Sequence, residues 1–176
     1  MNPVLRGIFG NWNLSGVVRW HSGFPFAPDS GNGFAFPTNY YVNGPPTLKP
    51  GVKHPEIKVT KDAAGGPNVF ANSELAYDAF EHTRSGYSGS RNVLYGPGFF
   101  TLNTALQKAF KVDGYGEVQF RWEVFNVMNN VNFDGRVNPL GNAGIDFDLD
   151  SKASFGQLRT LAGSPRFMQF AIRFAF

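Results

Sequence analysis

Residues 117–126 read Glu-Val-Gln-Phe-Arg-Trp-Glu-Val-Phe-Asn, and this stretch decides the fold. From Glu117 to Val124, charged or amide side chains alternate with apolar ones, which is the period of a β-strand with two different faces. The preceding Asp113-Gly114 pair favours a tight hairpin, because glycine tolerates the positive φ that such a turn requires. The stretch is therefore predicted to be the second strand of a β-hairpin.

The same alternation recurs elsewhere in the chain. Strands are predicted near residues 12–20, 100–110, 117–126 and 166–176. No segment keeps a helical period of apolar residues, and residues 73–82 are interpreted as a loop with one helical turn. The chain is therefore predicted to be all-β, with antiparallel strands.

The connections between these strands differ greatly in length. Residues 111–116 form a short turn, whereas residues 21–99 and 127–167 are far longer than the loops of a compact soluble domain. Outer-membrane barrels combine short periplasmic turns with long extracellular loops. We therefore expect an up-and-down transmembrane β-barrel segment of about four strands, with two long extracellular loops and an outer-membrane location.

Two tryptophans on the first strand fit a lipid-facing surface. Trp12 and Trp20 share one face and are separated by about 26 Å of extended strand, or roughly 20 Å of membrane depth once the strand is tilted. That separation is close to the spacing of the two aromatic girdles of a membrane barrel. Trp12 and Trp20 are therefore predicted to be girdle residues in contact with outer-membrane lipid.

The composition excludes several classes of protein. The chain has 176 residues, 19 Phe and no Cys, so a disulfide scaffold is impossible, and its aromatic content of 16 % is too high for a disordered tail. The formal net charge is +3, but Lys and Arg are scattered singly, so no nucleic-acid partner is expected. Residues 1–10 do not resemble a signal peptide, so either the protein stays inside the cell or its export signal lies upstream of these residues.

No catalytic or cofactor-binding residues are predicted, and the chain is not expected to be an enzyme. Residues 86–90 approach the pattern of a nucleophile elbow but end in serine, and His21, His54 and His82 lack the spacing of metal ligands. Three carboxylates at alternate positions resemble the start of an EF-hand calcium loop and are weak metal candidates: Asp146, Asp148 and Asp150. The glycine and the flanking helices of an EF-hand are missing.

Several motifs resemble one family of membrane receptors. They occur in that family's order at residues 12–16, 22–26, 90–99, 120–133, 155–157 and 163–166, followed by a terminal strand that ends at Phe176. Together they are similar to the C-terminal part of a TonB-dependent outer-membrane receptor. The closest similarity is to the Oar-like subgroup, which has a carboxypeptidase-regulatory-like N-terminal domain.

The resemblance implies a barrel of about 22 strands, an internal plug and energised uptake of a bulky nutrient through the TonB complex. It also implies that the barrel-assembly machinery reads the terminal strand, through Phe170, Ile172, Phe174 and Phe176. Four strands cannot close a barrel, for which about eight are needed. Residues 1–176 are therefore interpreted as the C-terminal part of the receptor, without the plug and most of the barrel, and unable to transport alone.

Two alternatives remain open on the sequence. A soluble aromatic-rich β-protein with a binding or structural role would be monomeric without detergent and would enclose Trp12 and Trp122 in its interior. A self-assembling protein would pool the strands of several copies into one barrel or fibre and so remove exposed strand edges.

Overall fold

The computed structural model describes residues 8–30, 45–62, 65–83, 89–112, 114–135 and 144–176. The chain forms two compact units. The first comprises Met1–Trp20, Phe100–Val131 and Ser164–Phe176, and the second comprises His21–Phe99 and Asn132–Gly163. Among the described residues, no helix has the length and hydropathy needed to cross a membrane.

The described elements are mostly strands. In chain order they are β1 (Trp12–His21), β2 (Pro25–Phe26), β3 (Thr47–Leu48), β4 (Ile57–Lys61), β5 (Pro67–Phe70), helix α1 (Ser73–Asp78), β6 (Phe80–Glu81), β7 (Leu94–Tyr95), β8 (Phe99–Val112), β9 (Gly116–Phe125), a 3-10 turn (Lys152–Ser154) and β10 (Phe167–Ala175). The four long strands form one sheet in the order β1-β8-β9-β10. The predicted all-β, antiparallel class is confirmed; the sheet is not a closed barrel.

The strand ends differ slightly from the predicted ones, for identifiable backbone reasons. β8 runs past residue 110 because Lys111 and Val112 still pair with Glu117 and Gly116 of β9. β9 stops at Phe125 because Asn126 has a φ of 52°, which extended backbone cannot adopt. β1 and β10 lie within one residue of their predicted ends.

The register aligns the apolar positions of neighbouring strands. Trp122 of β9 lies opposite Leu106 of β8 on one side and Phe170 of β10 on the other. Because side chains alternate across a strand, every second position from these three faces the same side. For β1, Ala109 N donates to Asn11 O at 3.3 Å, and the Asn13 and Gln107 side chains meet at 3.5 Å. As residue numbers rise along β1, the numbers of the bonded β8 residues fall, so β1 and β8 are also antiparallel.

The antiparallel order brings both long connections to the same end of the four long strands. β1 ends and β8 begins at that end of the sheet, and β9 ends and β10 begins there too. The turn between β8 and β9 lies at the opposite end of the sheet. The predicted separation of short and long connections is therefore confirmed.

Both predicted long connections are present, and their described parts fold together into the second unit. This unit has its own two-stranded ladders, β2-β7, β3-β6 and β4-β5. The predicted helical turn is confirmed as α1, where the Asn72 side chain accepts a hydrogen bond from Leu75 N at 3.0 Å and caps the helix.

Aromatic side chains from both long connections form the core of the second unit. Phe70 stacks on Phe155 at 5.5 Å between ring centroids, and Phe26 stacks on Phe147 at 4.2 Å. Phe147 and Phe155 meet edge to face at 5.8 Å and join the two pairs. Each fully buried ring contributes about 1.5–3 kcal/mol, so the four rings together stabilise the second unit.

Candidate functional site

One face of the four-stranded sheet carries large apolar side chains that remain exposed. On β10, the exposed members are Met168, Phe170, Ile172 and Phe174. On β1, they include Leu14, Val18 and Trp20. A contiguous exposed apolar surface of this kind marks an interaction with another protein or a membrane. We call it the apolar face.

Trp12 and Trp20 lie at the two ends of the apolar face of β1, as the girdle prediction requires. Trp20 is exposed, and Trp12 is 49 % exposed, which does not match the interior position that the soluble alternative requires. Trp12 Nε1 donates to Ile8 O at 2.9 Å, so its polar edge is satisfied by backbone. A tryptophan with a satisfied N–H and an exposed ring suits a membrane boundary.

Lys108 was not among the predicted site residues, although its place in the alternating pattern of β8 puts it on the apolar face. Its side chain is buried, and Nζ donates to Ile8 O at 3.0 Å and to Gly10 O. Nζ also lies 4.9 Å from the ring centroid of Trp12 and 5.3 Å from that of Phe110. The lysine interrupts the apolar positions of β8, and this interruption was the signal that the sequence offered. The partners of Lys108 could not be inferred from it, because Ile8 lies about 100 residues away in sequence.

The opposite face of the sheet carries charged and amide side chains, several of which bond to neighbours within the sheet. Arg121 pairs with Glu123, and the second oxygen of Glu123 accepts a hydrogen bond from Gln169 of β10. On β9, Gln119 donates to Glu117. Such a face suits a wet or polar lumen, as in outer-membrane barrels.

The four residues of the predicted assembly signal belong to the last strand. Phe170 stacks on Trp122 of β9 with 6.1 Å between ring centroids, and Phe170, Ile172 and Phe174 share the apolar face. Phe176 follows the end of β10 and is fully exposed. These contacts show where the residues lie; their recognition by the assembly machinery stays a prediction.

A polar turn after β9 ties three strands together. Asn126 is buried, and its Nδ2 donates to Asn130 O at 2.9 Å and to Ser164 O at 3.1 Å. Its backbone N–H donates to Asn103 Oδ1 of β8 at 2.9 Å. Asn129 Oδ1 accepts from Arg166 N at 3.0 Å, just before β10. The family-like segments 120–133 and 163–166 therefore bond to each other.

A second pair of family-like segments meets in the second unit. Pro25 and Phe26 of β2 pair with Tyr95 and Leu94 of β7, and Gly96 N donates to Phe24 O at 2.9 Å. A side chain at Gly23 would overlap the carbonyl group of Gly96. The segments 22–26 and 90–99 are therefore matched across one small ladder.

The three weak metal candidates do not form a cluster. Asp146 pairs with Arg159, and Asp148 Oδ1 accepts from Asp150 N at 2.8 Å. In the part of the chain that the structure describes, no three acidic or histidine side chains are grouped closely enough to hold a metal ion. The calcium interpretation therefore gains no support from these contacts.

Each of the three histidines has its own surroundings. His21 stacks on Phe99 at 5.2 Å, and His54 Nδ1 lies 3.2 Å from Val93 O. His82 Nδ1 is buried and has no hydrogen-bond partner among the described residues. In the elbow-like motif, residues 86–88 lie outside the described residues, as do residues 1–7.

Comparison with protein families identifies a membrane-protein domain. A family model described as an outer membrane beta barrel domain matches residues 1–169. Searches of the curated proteins and of the solved structures give no match.

Proposed function

Because the chain belongs to the family of outer-membrane β-barrel domains and is located in the outer membrane, we propose that it is the C-terminal part of a TonB-dependent receptor barrel. Such a receptor takes up a bulky nutrient and is energised through the TonB complex. The Oar-like motif order along the sequence supports this narrower assignment.

One observation carries the proposal: the sheet has open edges. Among the described residues, β1 and β10 each have one neighbouring strand. Each unpaired backbone N–H or C=O group costs several kcal/mol when it is surrounded by lipid. A sheet in the membrane must therefore be closed. Four strands are too few, since about eight are needed to enclose even a packed interior. The sheet therefore fits the wall of a larger barrel.

The second unit fits the ligand-contacting part of such a receptor. Both of its chain segments connect to the long strands at the end opposite the short β8–β9 turn. Short turns face the periplasm in outer-membrane barrels, so this unit would be extracellular. Its aromatic core would hold a fixed surface for an incoming nutrient.

The last strand would have a separate role during biogenesis. In this proposal the barrel-assembly machinery binds β10 through Phe170, Ile172, Phe174 and Phe176. The exposure of these four side chains supports the proposal, because a signal must be accessible before the barrel closes.

The reading frame upstream of residue 1 in the source DNA tests the receptor proposal. We expect it to continue into further alternating strands, preceded by a plug domain and an export signal. An export signal directly before residue 1, with no upstream barrel-coding sequence, would contradict the proposal.

The two open edges also favour a second candidate, in which several copies of the chain combine their strands into one barrel. The mass of the purified protein in detergent separates the two. A homo-oligomer has a mass that is a multiple of 19.4 kDa, whereas a receptor part has the mass of one longer polypeptide.

A further inference from the structure

The segment 8–11, which precedes β1, is fastened to the apolar face by a cation. Two of its carbonyl oxygens, those of Ile8 and Gly10, accept hydrogen bonds from Lys108 Nζ. Trp12 Nε1 donates to the same Ile8 oxygen at 2.9 Å. Both donors come from the apolar face, so the segment is bonded to the side of the sheet that meets lipid.

These contacts allow a lysine to lie on a lipid-facing surface. A charged group in contact with hydrocarbon is destabilising, most strongly at the bilayer centre and less toward the boundary. Lys108 is 2 % exposed, because the segment and the rings of Trp12 and Phe110 cover its ammonium group. The segment thus supplies both the hydrogen-bond acceptors and the cover.

The outer surface of the segment is itself apolar. Ile8 is 55 % exposed and Phe9 is 72 % exposed. They precede Trp12 at the end of the sheet that carries the short β8–β9 turn, and the Ile8 carbonyl bonds to two side chains of the apolar face. Apolar side chains beside a girdle tryptophan suit the boundary between acyl chains and headgroups.

We propose that the segment 8–11 is a lipid-binding anchor, held by Lys108, that inserts Phe9 and Ile8 into the headgroup boundary of the membrane leaflet nearest the short turn. The occupant is phospholipid, because the anchor is continuous with the lipid-facing surface. The proposal rests on the outer-membrane location and is independent of the TonB assignment.

Single spin-labelled cysteines test the anchor, since these 176 residues contain no native Cys. Phe9→Cys is the test site. Leu14→Cys is the control for lipid contact on the apolar face, and Tyr115→Cys is the control for water contact in the short β8–β9 turn. In outer-membrane fractions from cells producing the natural reading frame, we would measure collisions of the label with oxygen and with a water-soluble nickel complex. Oxygen favours lipid and the nickel complex favours water.

We expect the oxygen-to-nickel ratio at Phe9→Cys to lie between the two controls. Adding Trp12→Phe, which removes one donor and keeps a ring, should move this ratio part of the way toward the Tyr115→Cys value. Lys108→Met should move it further, with Leu14→Cys unchanged. A ratio at Phe9→Cys equal to that at Tyr115→Cys, with Lys108 and Trp12 intact, overturns the proposal even if the Lys108→Met protein does not assemble. A ratio that neither substitution changes also overturns it.

Discussion

At the scale of single residues, asparagines with a left-handed backbone end strands where the chain must turn. Asn126 and Asn129 have φ values of 52° and 53°, and both side chains bond to segments near the start of β10. Asparagine tolerates this conformation better than other residues with a side chain, because its short amide can bond to nearby backbone. One residue type therefore shapes the turn and fixes the neighbouring strand.

Replacing Asn126 by alanine should destabilise the sheet. The change removes two hydrogen bonds donated by its amide and one accepted from Asn130 N at 3.0 Å, and it places alanine at a positive φ. We expect a loss of about 2–3 kcal/mol in the free energy of unfolding. The midpoint of urea unfolding in detergent, followed by tryptophan fluorescence, measures it.

Asn130→Ala is the matched control for that substitution. Its exposed side chain makes a single long contact among the described residues, 3.5 Å to Phe100 O, so the expected change is below about 0.5 kcal/mol. Equal effects of the two substitutions would show that the Asn126 side chain has no special role.

Gly23→Ala should disrupt the pairing of β2 with β7. The added methyl group would overlap the Gly96 carbonyl, and backbone cannot move away as a flexible side chain can. We expect a loss of about 1–3 kcal/mol, measured by the same urea titration. Gly163→Ala, whose nearest atom beyond its chain neighbours is 4.0 Å away on Phe99, should be close to neutral. A neutral Gly23→Ala variant contradicts the close approach.

At the scale of elements, the sequence predicted what depends on local periodicity. The four long strands follow from alternation, and the paired faces follow because the register aligns Leu106, Trp122 and Phe170. The ladders β2-β7 and β3-β6 are two residues long on each side, too short for a period to be detected. The partners of Lys108 could not be predicted either, because they are main-chain carbonyls distant in sequence.

Adjacent arginine substitutions on β10 should distinguish its two faces. Phe170→Arg places a charge on the apolar face and is expected to cost about 2–4 kcal/mol, the value for a membrane-facing strand near the bilayer midplane. Gln169→Arg changes the neighbouring position, where the side chain meets Glu123 on the polar face. We expect Phe170→Arg to lower the amount of protein in the outer membrane and Gln169→Arg to leave it nearly unchanged. The reverse result would place lipid on the polar face.

At the scale of the whole molecule, each of the two units has its own basis of stability. The large apolar side chains of the sheet are exposed, whereas the second unit buries its own large apolar side chains in a core. The core of the second unit joins Phe70 from one long connection to Phe147 and Phe155 from the other. Contacts across such distances leave no periodic signal in the sequence, which is why the two connections were predicted to be loops.

Phe155→Ala should therefore unfold the second unit while the long strands still reach the membrane. Phe155 is fully buried and contacts the rings of Phe70, Tyr77 and Phe147, so its truncation is expected to cost about 3–5 kcal/mol. Protease added to intact cells should cleave this variant faster than the natural protein, with similar amounts of both in the outer membrane. Leu75→Ala, at a position that is 69 % exposed on α1, should leave the cleavage rate unchanged. If Phe155→Ala resists protease as well as the natural protein does, the two long connections do not depend on a shared core. If it is instead lost from the outer membrane, insertion of the sheet depends on the folding of the second unit.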